Sequence, residues 1–165
     1  MLKNAWFIFH PRPLLAGLLV AIESCVQITG ILSQNKRTMN YLYIPDYVAE
    51  RQYIYRNLYE AIGNENRLAM FKDIKGLSDR LKNFDNPEII TFLGVKWADL
   101  LEIISIKELF LDAALIILLY DDDQETLDKA ISLRPKFVGT MTEDLDKVTP
   151  IIKKLVQKRR PTWSQ

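Results

Sequence analysis

The chain of 165 residues has one cysteine, Cys25, and one histidine, His10, and both fall within the first 38 positions. From Met39 onward neither type occurs. That stretch therefore offers no thiol nucleophile, no imidazole base and no sulfur or histidine ligand for zinc. Glycine is also sparse: Gly63, Gly76, Gly94 and Gly139 stand singly, so no glycine-rich turn can wrap backbone donors around a phosphate. No serine is flanked by glycines in the manner of a nucleophile elbow. A surplus of one charge sign is missing too. With 22 Lys and Arg against 21 Asp and Glu, the chain lacks the basic field that drives binding to a nucleic-acid backbone.

A membrane-length apolar run is also lacking. Leu14 to Ile22, LLAGLLVAI, is nine residues, whereas a spanning helix needs roughly 20. Lys3 and Arg12 precede that run as they would in a signal peptide, and Cys25 stands where a lipid could be attached, but Glu23 suits no such cleavage site. Composition changes at Met39, where the polar run SQNKRT gives way to MNYLYIP. Three readings of residues 1–38 stay open: a native product that starts at Met39, a disordered or loosely docked extension, and a signal-like segment that exports or tethers the protein. The domain expected to fold spans 39–158, with 159–165 as a loose basic tail.

Within that domain, short β-rich runs alternate with helical periods five times, the pattern of a parallel α/β sheet. The expected strands are Asn40 to Ile44, Arg67 to Lys72, Glu88 to Leu93, Ala114 to Tyr120 and Lys136 to Thr140. The run ALIILLY in the fourth has the continuous apolarity of a strand covered on both faces. The first helix is expected from Val48 to Ile62, with Ile54, Leu58 and Ile62 inward and Gly63 as the stop. Asp73 is a cap for the second, whose inward face is Ile74, Leu77, Leu81 and Phe84. Trp97, Leu101 and Ile104 mark the third, and Ser105 and Glu108 have capping-box spacing for a short turn through Phe110. The spacing of Asp122 to Glu125 predicts the fourth helix start, with Leu127, Ala130 and Ile131 inward. Thr149 and Pro150 read as the cap and first turn of the last helix.

This succession resembles the flavodoxin-like receiver domains of two-component response regulators over most of residues 39–157. The resemblance implies a doubly wound five-stranded sheet in the order 2-1-3-4-5. It also implies a phosphoacceptor aspartate ending the third strand, an acidic pair after the first to hold magnesium, a Ser or Thr after the fourth and a Lys after the fifth. The sequence departs from each. After the first strand stands one acid, Asp46; the third ends Leu93, Gly94, Val95, Lys96, with Asp99 too far along to substitute; Tyr120 and aspartates follow the fourth; Gly139 and Thr140 end the fifth, with Lys136 at its start. The expectation is a non-catalytic pseudo-receiver, a cytoplasmic protein-interaction or signalling module without a cofactor.

Two features offer chemistry. Asp121, Asp122 and Asp123 follow a central strand, where open α/β sheets bind ligands, and with Asp46 they form a candidate divalent-cation edge for a small carboxylate- or metal-dependent enzyme or ligand-binding domain. The competing reading is that they cap the fourth helix. Tyrosines 41, 43, 47, 53, 55 and 59 fall within nineteen residues, and aromatic rings with polar tips suit interfaces. With Arg56 beside them, Tyr53, Tyr55 and Tyr59 are the candidate contact residues for another protein, or for a second copy of the chain. Neither nucleic acid nor membrane is expected as a partner of this domain; the basic run at 158–160 beside Trp163 reads as a solvated helix end.

Overall fold

In a computed structural model of the protein, which describes residues 39–62, 67–83 and 86–159, five strands form one parallel sheet in the order β2-β1-β3-β4-β5. The strands are β1 (Met39–Tyr43), β2 (Arg67–Phe71), β3 (Ile89–Val95), β4 (Ala114–Leu119) and β5 (Phe137–Thr140). Between and after them come α1 (Arg51–Ile62), α2 (Ile74–Lys82), α3 (Trp97–Ser105), α4 (Gln124–Ile131) and α5 (Met141–Arg159), with a 3₁₀ turn at Lys107–Phe110. The expected doubly wound order is the observed one. The readings of residues 1–38, of Gly63 and the turn after it, of Phe84 and of the tail from 160 lie outside the described residues.

Every residue of β3 and β4 is buried, whereas β5 is half-buried throughout and β2 runs from exposed to half-buried. Continuous apolar runs therefore occupy the centre and mixed runs the two edges, as coverage of both sheet faces requires. Alternation along the strands splits the core. Tyr41, Tyr43, Ile90, Phe92, Leu115 and Ile117 join Leu77 of α2, Leu100 and Ile103 of α3 and Ala130 of α4 on one face. Leu42, Ile44, Ile89, Leu93, Ile116 and Leu118 join Ile54 and Leu58 of α1 and Val148 and Ile152 of α5 on the other. Burying each large apolar side chain contributes roughly 1.5–3 kcal/mol, so these two layers outweigh any surface contact described below.

Five expectations are corrected. The first helix begins at Arg51, because the chain from Val48 is still turning; the amides of Val48 and Arg51 bond to the carbonyls of Pro45 and Val48. Asp123, not Asp122, caps α4 and accepts from the Thr126 amide at 2.8 Å. Ile131 faces outward, where it is 50% exposed, and Thr126 is buried in its stead beside Ala130, which is inward as expected. The Ser105 hydroxyl donates back to the Glu102 carbonyl and so caps nothing ahead of it. Finally, α5 begins at Met141 and carries Pro150 in its interior. The Thr140 amide donates to Asp144 at 3.0 Å, which fixes the start of α5 directly after β5. Pro150 lies on the exposed side of the helix, which continues past it to Arg159 without that one amide donor.

Candidate functional site at the carboxyl edge of the sheet

The loops after β1, β3 and β4 meet at the carboxyl edge, the position where open α/β sheets recognise ligands. The geometry there starts with Gly94. The pairing of β3 with β4 shifts register between Leu93 and Val95, and Gly94 between them has φ +70°. Only glycine holds that conformation without strain, and a Cβ on it would lie 2.6 Å from Val48 Cγ2. The bulge turns the Gly94 carbonyl toward the loop after β1, where it accepts from the Tyr47 hydroxyl at 2.7 Å.

Asp99, in the first turn of α3, gathers the rest. Its carboxylate accepts from the Lys96 amide at 3.0 Å and from the Tyr43 hydroxyl at 3.0 Å, and shares the single Tyr47 hydroxyl proton with the Gly94 carbonyl. The first of these satisfies an orphan donor of the helix start; the others tie β1 and its loop to α3. Burial, and after it the Asp99 carboxylate, push the phenols of Tyr43 and Tyr47 well above the usual tyrosine range. Tyr47 is 41% exposed overall, yet its hydroxyl is the end that points inward. The Lys96 ammonium lies between two rings, 4.2 Å from the centroid of Tyr47 and 4.3 Å from that of Tyr120, and the rings meet edge to face at 5.6 Å. Both distances are within cation–π range.

The acidic candidates are dispersed by this arrangement. Asp46 pairs with Arg51 and, at 3.8 Å, with Lys72. Asp123 is committed to the α4 cap; its bonds from the Thr126 hydroxyl and amide hold its carboxyl below the usual range. Asp121 and Asp122 are exposed. Among the described residues, no three carboxylate, histidine or cysteine side chains come together to hold a metal ion. The end of β5 carries Asp144 folded against Gly139, where a Cβ would overlap its carboxylate, and paired with Lys147 at 2.5 Å.

The tyrosine cluster divides into three. Tyr41 and Tyr43 are core, Tyr47 belongs to the edge just described, and α1 presents Tyr53 (67% exposed) and Tyr59 at the surface. Tyr55 is half-buried against the α1 and α5 side of the core, with its ring 5.9 Å from that of Tyr59. Arg56 is exposed. Spacing did not bring out Lys96, Asp99, Tyr120 or the role of Tyr47. One local signal was present, the lone glycine inside an apolar strand, which marks a bulge or a close backbone approach.

No family model matches this sequence, and no curated protein matches it. Comparison with solved structures does find similar folds. The chain is similar to the signal receiver domain of an HD-domain-containing protein from Pseudomonas fluorescens Pf-5, with a TM-score of 0.58 at 13% identity over 74% of this chain and 97% of that one. A CheY-like response regulator receiver domain protein from Methanospirillum hungatei JF-1 gives 0.58 at 10% identity, over 74% and 97%. A two-component response regulator from Legionella pneumophila gives 0.58 at 14% identity, over 73% and 99%. The fold is thus that of response-regulator receiver domains. Among the described residues no helix is long and apolar enough to cross a membrane.

Proposed function

We propose that this chain is a signalling module of receiver type that works by protein contact and does not run an aspartyl-phosphate cycle. One observation carries the reading. At the carboxyl edge β3 ends in Gly94 and Val95 with no carboxylate among its last residues, and Lys96, which follows directly, is stacked with Tyr47 and Tyr120. Asp99, in the first turn of α3, is already engaged by the Lys96 amide and by the phenols of Tyr43 and Tyr47. The pairing of Asp46 with Arg51 and Lys72 also weighs against the metal-dependent alternative.

Incubation with acetyl phosphate and magnesium is the test. No acid-labile phosphate should appear on the protein by mass spectrometry, and millimolar magnesium alone should leave thermal unfolding unmoved. Incorporation that disappears in Asp99→Asn would overturn the reading. The contact face belongs to α1, where Tyr53, Arg56 and Tyr59 combine exposed aromatic area with a guanidinium, the composition that interface hot spots favour. The partner is another protein or a second copy of the chain, and the cell compartment consistent with such a module is the cytoplasm.

A further inference from the structure

We propose that Tyr47 and Tyr120 form a cation-binding cleft, occupied at rest by Lys96, into which an arginine or lysine side chain of a basic protein segment docks by displacing it. This deepens the interaction-module reading and rests on it. The cleft's preference is visible in its present occupant: an ammonium held 4.2 and 4.3 Å from two ring centroids. Tyr47 and Tyr120 are each 41% exposed, and Lys96 between them is exposed, so the cleft lies at the surface.

Three features make exchange possible. First, the Tyr47 wall is fixed independently of Lys96, because its hydroxyl is tied to the Gly94 carbonyl and to Asp99. Second, the Lys96 ammonium has no carboxylate partner among the described residues; only the two rings retain it, and its exposed flexible stem regains rotamer freedom when it leaves. Its backbone amide donates to the Asp99 carboxylate whatever the side chain does. Third, Asp121 and Asp122 follow Tyr120 directly and are exposed, and neither is the α4 cap. Their negative charge, one and two residues along the chain from Tyr120, favours a cation over an anion. Arginine suits the cleft better than lysine, since a planar, weakly hydrated guanidinium stacks on an aromatic face.

The probe is an acetylated, amidated tetra-arginine peptide, titrated into the full chain and followed by the ring resonances of the tyrosines. Lys96→Ala, which empties the cleft, should bind the peptide about two- to fivefold more tightly than the unsubstituted chain. Tyr120→Phe, which keeps the π face, should bind as the unsubstituted chain does, and Tyr120→Leu should lose about two- to fivefold. Lys96→Met keeps the apolar stem without the charge and guards against a folding defect in the alanine variant. No gain in either Lys96 variant, or equal binding by Tyr120→Leu and Tyr120→Phe, would overturn the cleft. So would binding that responds to Asp121→Asn and Asp122→Asn but to neither ring, which assigns the peptide to a diffuse acidic field. These outcomes are separate from the phosphate test. Acid-labile phosphate would sink the interaction-module reading whatever the peptide does, whereas unchanged peptide binding without phosphate would sink only the cleft.

Discussion

Gly94 is where a single residue type decides the shape of the candidate site. Its left-handed backbone aims the carbonyl at Tyr47 and sets Lys96 at the start of α3, and its missing Cβ leaves room for Val48. Gly94→Ala combines two costs, a non-glycine residue at φ +70° and a methyl pressed against Val48. The expected loss in urea unfolding is about 1–3 kcal/mol from the backbone alone, with more from the overlap. Val48→Ala in the same chain should recover the overlap part and leave the backbone part, so the double variant should unfold between Gly94→Ala and the parent corrected for the loss of Val48. A Gly94→Ala protein as stable as the parent would show that the bulge is not needed. Read from sequence, the third strand stops at Leu93, one residue short of Gly94, whereas β3 runs on through the bulge to Val95. The sequence did not hint at Asp99, whose spacing from β3 looked too long until the helix start folded it back under the phenols.

Among the elements, α1 shows how far a pattern carries. The four-residue spacing of Ile54 and Leu58 correctly marks its buried face, and it leaves Tyr53 and Arg56 outward, three residues apart and therefore neighbours on the helix surface. Tyr55 is different, since it packs against the core and its removal would weaken the fold as well as any contact. Tyr53→Ala with Arg56→Ala is accordingly the cleaner pair. It should lower self-association in sedimentation, or affinity for an isolated protein partner, by about tenfold or more, the scale of a hot-spot loss, with the circular dichroism unchanged. Asp128→Ala with Lys153→Ala, on α4 and α5, should leave association as it was; the reverse result would move the contact face to those helices. The end of the chain is the counter-example to reading by pattern. Thr149 and Pro150 have the composition of a helix start, yet Asp144, four residues past Thr140, nucleates α5 earlier because β5 delivers the backbone straight to it.

At the scale of the whole molecule the carboxyl edge acts as a clamp between the two halves of the sheet, and its phenols give stability a dependence on alkaline pH. An unfolded tyrosine ionises near pH 10. In the folded chain burial and Asp99 hold Tyr43 and Tyr47 above that value, so from about pH 10 upward the unfolded state releases protons that the folded state keeps, and stability falls as pH rises. Below that window both states keep their protons and the contribution is whole. Urea midpoints should therefore decline above about pH 10, and the decline should be shallower in Tyr43→Phe and in Tyr47→Phe even though each variant starts lower for want of a donor to Asp99. An equal slope in all three proteins would mean that the phenols are not clamped.

The number and order of the elements, the central place of β3 and β4 and most of the core are legible along the chain, because strand and helix periods are local and burial follows them directly. Also legible there is what is missing from the chemistry, since no fold can supply a thiol or an imidazole that residues 39–159 do not contain. The site exists only once the chain has folded. Tyr43 and Asp99 are 56 residues apart, Tyr47 and Asp99 are 52, and Tyr120 is contributed by a third loop. No period connects them. Parallel pairing of β1, β3 and β4 brings the three loops to one edge, and a single positive φ at Gly94 sets their side chains at hydrogen-bond and cation–π distance.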